Sequence, residues 1–251
     1  MNFGRQAEVF QLPHHRQYLF VVCNLMRHLL LILSLIICLT AKTQVKDTIF
    51  LKRILVDTPY HFYNAIYIDT TYRLQNRKLI TNFSFSNYDS TTYFEELKNL
   101  KPLKKVNNLI RGFPKKWILL YKYKDDYYTY VPSEAGENYR FEITDSTTID
   151  YTMEGPEPSK INKITRQTPT KIIIRRDNYW QGNIVKINIL DRAKGIAVFT
   201  FSPTKYIKSE HKLLMVSVDK ASNFKAIINF CETDKVAEFD FDKIDFSKLD
   251  Q

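Results

Sequence analysis

Short runs in which apolar and polar residues alternate constrain the fold of this chain more than any other feature of its sequence. Successive side chains of an extended strand point to opposite faces, so a period of two predicts β-strands. Predicted strands cover residues 47–56, 61–69, 117–124, 127–132, 138–144, 147–153, 170–176, 183–190, 195–201, 212–219 and 224–230, and residues 71–80 are a further candidate.

The run at residues 138–144 shows the pattern most clearly. Its spacing places Tyr139, Phe141 and Ile143 on one face of a strand, and Arg140 and Glu142 on the other. A face made of the first three side chains is suited to a core. We therefore expect the opposite face of this strand to be the more polar one.

Turn and helix signals divide the strands. The Asp125-Asp126 pair predicts a hairpin between two runs, and the Gly and Pro content of residues 154–159 predicts a loop. Thr92 and Glu95 stand at capping-box spacing, so a short helix is expected before Pro102.

An unbroken oily run near one end sets the expected location of the protein. Leu29–Leu39 is apolar except at Ser34, follows Arg27 and His28, and leads to small residues before Gln44. This layout is typical of a secretory signal peptide, and it makes Met26 a candidate start of translation in place of Met1. The alternatives are an uncleaved membrane anchor through residues 29–41 and a buried core helix. Lipidation at Cys38 is a further alternative.

These observations predict two parts of the chain. Residues 1–43 form an N-terminal extension with a hydrophobic signal helix, and residues 44–251 form a single β-rich domain with one or two short helices. The connections between strands are too short for helical crossovers, so we expect a mostly antiparallel barrel or sandwich.

The strand count together with export resembles a lipocalin-like up-and-down barrel, by analogy of fold only. The Gly-x-Trp motif expected at the first strand of that family is missing; the tryptophans are Trp117 and Trp180. Such an analogy implies no function.

Cysteine and charge narrow the chemistry. Cys231 is the only cysteine after residue 43, so no disulfide within the predicted domain is expected, and its apolar neighbours predict a buried thiol. The net charge of +10 favours anionic partners and surfaces.

A basic segment, residues 98–124, contains nine lysines and arginines and no acidic residue. Aromatic residues interleave with its cations and continue into the next strand, a composition suited to a polyanion or a sugar. The candidate ligand-binding residues are Trp117, Tyr121, Lys122, Tyr123, Lys124, Tyr128 and Tyr130. A solvated strand face that protects a sheet edge is the alternative.

The acidic-aromatic C-terminus, residues 238–250, is predicted to pack beside the basic segment as a terminal strand or arm. Its phenylalanines alternate with carboxylates, so one face suits packing and the other faces cations. Asp240 and Asp242 are carboxylates of the kind that bind calcium, but no loop with the necessary ligands is visible. We expect no metal and no cofactor.

Catalytic motifs are missing. Beyond residue 43 the histidines are His61 and His211, and neither an H-E-x-x-H nor a G-x-S-x-G motif occurs. Glu142, Asp145 and Asp150 are candidates for glycoside cleavage by residue type alone.

The expected function is therefore that of a secreted, periplasmic or outer-envelope binding protein without catalytic activity. An anionic glycan, a lipid surface and a small apolar ligand are the candidate partners, whereas nucleic acid is not expected outside the cytoplasm. The alternatives are an envelope hydrolase that acts on glycans with carboxylates in a cleft, and a structural or interaction protein without a small ligand. A hollow barrel would favour a ligand, and a filled one the structural role.

Overall fold

The computed structural model describes residues 48–55, 63–71, 74–106, 110–133, 138–178, 180–231 and 237–249. The strands are β1 (Thr48–Leu55), β2 (Tyr63–Asp69), β3 (Lys116–Leu119), β4 (Tyr121–Tyr123), β5 (Asp126–Val131), β6 (Arg140–Ile143), β7 (Thr147–Thr152), β8 (Gly155–Arg166), β9 (Lys171–Arg176), β10 (Ile184–Asp191), β11 (Ile196–Phe201), β12 (His211–Ser217) and β13 (Lys225–Phe230). The helices are α1 (Leu74–Thr81) and α2 (Asn87–Asn99), with 3-10 turns at Val218–Asn223 and Phe246–Lys248.

Eight strands close into an antiparallel barrel in the order β3-β6-β7-β8-β9-β10-β11-β12, with β12 pairing back onto β3. The order around the barrel follows the chain, interrupted only by the β4–β5 hairpin, which leaves the barrel for a second sheet. The prediction of a mostly β, mostly antiparallel fold with few short helices is confirmed, and of the two predicted architectures the structure contains the barrel.

Apolar side chains fill the barrel. Tyr139, Phe141 and Ile143 point inward from β6, as the alternation predicts, while Arg140 and Glu142 lie on the outer face. An eight-stranded barrel is just wide enough for side chains to fill it or for one small ligand. Here the interior residues are Trp117, Phe141, Ile143, Ile161, Ile164, Ile172, Ile174, Val185, Ile187, Ile189, Ala197, Phe199, Phe201 and Met215. These residues form a packed core inside the barrel.

The second sheet has five strands in the order β1-β2-β13-β5-β4. All its pairs are antiparallel except β13 with β5, which run parallel. One face of this sheet packs on the outside of the barrel together with both helices, through residues such as Val216, Ala226 and Ile228. The opposite face carries Tyr128, Tyr130 and their apolar neighbours.

Two predicted elements are wrong in type. Residues 71–80, a candidate strand, contain the start of helix α1 at Leu74. Arg77 and Ile80, three residues apart, are both buried, and the Arg77 guanidinium donates to the carbonyls of Ala221 (2.6 Å) and Phe224. These tertiary contacts favour a helix where the local sequence was ambiguous.

Residues 154–159, predicted as a loop, contain the start of strand β8 at Gly155. Pro156 and Pro158 pair with β7, but pairing with β9 begins only at Ile161. Proline is tolerated in a strand where one side is unpaired, because it has no amide proton to donate.

Helix α2 begins six residues earlier than a cap at Thr92 would place it. Ser86 is the N-cap and Asp89 completes the capping box, so Thr92 and Glu95 lie inside the helix. Both polar pairs have the same spacing in the sequence, which is why the spacing alone misplaced the boundary.

Several predictions concern other parts of the chain. The signal segment, the boundary at residues 43 and 44, Cys38 and His61 lie outside the described residues and stay predictions.

Cys231 is half-buried rather than buried, so the prediction of a buried thiol is wrong; β13 ends one residue before it. Within the described ranges no helix has the length and apolarity needed to cross a membrane.

Candidate functional site

A cleft of about 650 Å³ lies on the outside of the barrel beside one of its ends. Helix α2 forms one wall, the β7–β8 turn and the start of β8 form the second, and the β9–β10 connection forms the third. The lining residues are Tyr88, Asp89, Thr92, Glu96, Thr152, Met153, Glu154, Pro156, Glu157, Pro158, Ser159, Asp177, Asn178, Trp180 and Gln181. Three segments distant in the sequence therefore meet in one concave surface.

An exposed aromatic pair stands at the edge of this cleft. Trp180, on the β9–β10 connection, stacks on Tyr206 with ring centroids 4.7 Å apart and an interplanar angle of 2°. The two residues are 62% and 58% exposed, respectively. The two stacked rings present a continuous apolar surface to the solvent, and such patches mark interaction sites more often than single exposed residues do.

A buried ion pair lies beneath the connection that carries Trp180. The Asp150 carboxylate accepts a hydrogen bond of 2.5 Å from Arg176, and both side chains are fully buried. Tyr139 donates to the other carboxylate oxygen at 2.6 Å. Burial and the neighbouring Asp150 hold the pKa of Tyr139 well above its usual value, so the phenol stays a donor.

The guanidinium of Arg176 is also enclosed by rings. Its central carbon lies 5.4 Å from the Phe141 ring centre and 5.7 Å from that of Phe201. The His211 ring stacks parallel to Phe201 at 4.8 Å. Burial and the charge of Arg176 lower the pKa of His211, which keeps this imidazole neutral near pH 7.

Asn178 connects the buried pair to the aromatic pair. Its amide nitrogen donates to Asp150 (3.2 Å) and to Ser159 (2.9 Å), and its oxygen accepts from the backbone amides of Trp180 (2.9 Å) and Gln181 (2.7 Å). All four contacts depend on one buried side chain. The backbone position of Trp180 is therefore fixed from below before any ligand arrives.

Gly182 ends the same connection. Its φ is +101°, and a Cβ at this position would lie 2.7 Å from the carbonyl oxygen of Ser202. Other residues rarely adopt this conformation and would clash with the backbone here. The close approach also allows the Gly182 carbonyl to accept from Arg176 Nε at 3.1 Å.

The cleft is acidic, although the chain is basic. Asp89, Glu96, Glu154, Glu157 and Asp177 line it, and the described lining includes no lysine or arginine. None of these five carboxylates forms a salt bridge with a described residue. Burial raises the pKa of Glu157; a hydrogen bond from Thr152 opposes this change, and the charges of Asp150, Glu96 and Glu154 add to it. The cleft thus concentrates negative charge.

The residues predicted as a ligand site lie elsewhere and fall into two groups. Trp117 is fully buried in the barrel and donates to the carbonyl of Pro114 at 2.9 Å. The other six belong to the β4–β5 hairpin: Tyr121, Lys122, Tyr123, Lys124, Tyr128 and Tyr130. The structure brings these six together and separates Trp117 from them.

The carboxylates proposed by residue type do not share a cleft. Glu142 accepts from Tyr151 (2.8 Å) on the outer face of the barrel, and Asp145 pairs with Lys115 at 3.1 Å. Asp150 is buried in the ion pair with Arg176 and does not line the cleft. The acidic residues that do line the cleft come from α2, the β7–β8 turn, β8 and the β9–β10 connection. The signal for this site in the sequence is Trp180, an aromatic residue set in a polar loop.

No protein-family model matches this chain, and no curated protein or solved structure is significantly similar to it.

Proposed function

We propose that this chain is an exported binding protein without catalytic activity that holds its ligand in the cleft beside Trp180. The exposed Trp180–Tyr206 stack carries the proposal. A rigid, exposed apolar surface beside a concave site is typical of ligand recognition, because little conformational freedom is lost on binding. Export rests on the signal-like segment at residues 26–43.

The charge of the lining defines the ligand. An anion in this cleft would meet five carboxylates and no described base, so an anionic glycan or a lipid headgroup does not suit it. A neutral polyhydroxylated ligand suits the carboxylate and amide acceptors. An organic cation suits both the carboxylates and the face of Trp180. The ligand is neutral or cationic and has an apolar face.

The filled interior has a separate consequence. A small apolar ligand held inside the barrel, as in a lipocalin, would have to displace the packed residues around Phe199 and Trp117. A filled interior also favours a role without a small ligand. The cleft lies outside the barrel and leaves ligand binding as the better supported function.

The experiment uses the full chain in two arms, a printed array of neutral oligosaccharides and calorimetry with spermidine as the cationic probe. Replacing Trp180 by Ala should weaken the binding of whichever probe binds the wild type about threefold to thirtyfold, the equivalent of about 0.5–2 kcal/mol. The matched control is Phe50→Ala, since Phe50 is a half-exposed aromatic residue outside the cleft lining. Equal binding by the two variants, or no binding in either arm, would contradict the proposal.

A hydrolase that acts on glycans is the second candidate, and Glu157 is the observation that favours it. Burial raises its pKa, and a raised carboxyl pKa is the direction of change that a general acid for glycoside cleavage needs. Release of p-nitrophenol from aryl glycosides tests this candidate. Turnover should be lost in Glu157→Gln and kept in Asp177→Asn, a matched acid of the same cleft.

A further inference from the structure

The C-terminal residues 237–249 are here called the tail. Its first part, around Phe239 and Phe241, lies in a groove on the five-stranded sheet, whereas Ile244, Phe246 and Leu249 pack against the apolar cluster between the sheet and the barrel. Phe241 stacks on Tyr121, with ring centroids 4.3 Å apart, and meets Tyr130 edge-on at 4.9 Å. Phe239 meets Tyr123 edge-on at 5.1 Å. The groove is formed by Tyr121 and Tyr123 of the basic segment and by Tyr130 of strand β5. It holds Phe239 and Phe241 of the tail.

Polar contacts fix the acid that precedes these phenylalanines. The Glu238 carboxylate accepts hydrogen bonds from Ser133 Oγ (2.6 Å), Asn229 Nδ2 (3.1 Å) and the hydroxyl of Tyr130. The backbone amide of Phe239 donates to the same hydroxyl at 3.0 Å. Three side chains from β5, from the residues just after it and from the neighbouring strand β13 therefore converge on one carboxylate.

Backbone contacts hold the other end of the segment. β4 is the last strand of its sheet, and Asp242 adds to it as an antiparallel bridge, donating its amide to the Lys122 carbonyl at 3.0 Å. The Asp242 carboxylate in turn accepts from the Lys124 amide at 2.5 Å. Adding a strand to an exposed sheet edge, with pockets for alternate side chains, is a recurring way to bind peptides.

We propose that this groove is a peptide-recognition site, and that the tail is its resident occupant. The ligand is an extended segment of another polypeptide with an acid, an aromatic residue, any residue, a second aromatic residue and a second acid, as in Glu238–Asp242. Lys122 and Lys124, whose backbones bond to Asp242, add positive charge next to the acids of such a segment. A partner of this chemistry reaches the site by displacing the tail.

The test measures the binding of a fluorescein-labelled peptide of residues 237–249 to full-length chains by anisotropy. The Phe239→Ala/Phe241→Ala variant weakens the tail in place. We expect the peptide to bind this variant at 1:1 and at least tenfold more tightly than the wild type, whose groove is filled. A peptide with both phenylalanines changed to alanine should not bind.

Further variants locate the binding. Tyr121→Ala in the weakened background should abolish it, whereas Phe94→Ala, at an exposed aromatic residue outside both the groove and the cleft, should leave it unchanged. If the double variant does not fold, Glu238→Ala replaces it and the same tenfold difference is expected. No binding to either weakened chain, equal binding of the alanine peptide, or tail exchange between wild-type copies as a dimer would overturn the proposal.

Discussion

Replacing Asp150 by Asn tests the buried network beneath the cleft. The Asp150–Arg176 pair is fully buried at 2.5 Å, so the variant leaves the arginine charge uncompensated in the protein interior. Removing one partner of a buried pair costs about 3–5 kcal/mol. Urea denaturation followed by circular dichroism should show a midpoint more than about 1 M lower, given slopes of about 1–3 kcal/mol/M.

The surface provides the matched control. Lys186 and Glu210 pair at 2.8 Å, but their side chains are 51% and 47% exposed. Glu210→Gln should therefore change the free energy of unfolding by only about 0–1 kcal/mol. If Asp150→Asn costs no more than Glu210→Gln, the buried pair does not support this end of the barrel and the reasoning is refuted.

A third variant keeps the test informative if Asp150→Asn does not fold. Asp150→Leu/Arg176→Met removes both charges and leaves apolar side chains in their place. Replacing a whole buried pair in this way is often neutral or stabilising, so the double variant should recover most of the lost stability. A double variant as unstable as the single one would indicate that the hydrogen bonds of Tyr139 and Asn178, rather than charge, dominate.

Two substitutions test the tail, and one measurement on the native protein tests the export signal. Phe241→Ala should lower the free energy of unfolding by about 1–2 kcal/mol, because this half-buried ring loses its stack on Tyr121; an unchanged urea midpoint would contradict the packing. Burial opposes ionisation of Glu238, but hydrogen bonds from Ser133, Tyr130 and Asn229 outweigh it and lower the pKa of this carboxyl. The ionised carboxylate therefore stabilises the folded state above about pH 4.3, and this contribution is lost as the pH falls. Glu238→Gln should accordingly narrow the difference in unfolding free energy between pH 7 and pH 3, and an unaltered difference would refute this. Mass spectrometry of the protein from its own host should find a chain that begins near residues 42–44; retention of Leu29–Leu39 would favour the anchor.

Alternation predicted the strands well where each strand has one buried face. In β6 the inward and outward residues are those that the sequence indicates, since burial on one face enforces a period of two. The pattern failed at residues 71–80, where Arg77 serves as a buried donor to carbonyls, a role that no local pattern reveals. It also failed at Pro156 and Pro158, whose tolerance depends on the missing neighbour strand.

The packing of the tail beside the basic segment was predictable, and it is confirmed. Acidic and aromatic residues alternate in the tail, and the contacts of Phe239 and Phe241 with the tyrosines are those that this pattern favours. The cleft was not predictable, because its walls come from residues 88–96, 152–159 and 177–181, which only the closed barrel brings together. The role of Asn178 was not predictable either, because it depends on hydrogen bonds to four residues that only the fold brings close to it.

Fluorine NMR of the full chain labelled with 5-fluorotryptophan shows whether the ligand binds in the cleft beside Trp180. The chain has two tryptophans, Trp117 inside the barrel and Trp180 beside the cleft, so two resonances are expected, and Trp180→Phe assigns them. Titration with the oligosaccharide or amine identified as a ligand should shift the Trp180 resonance saturably and leave that of Trp117 in place. Saturable binding by calorimetry with an unchanged Trp180 resonance would contradict the claim that the cleft is the ligand site.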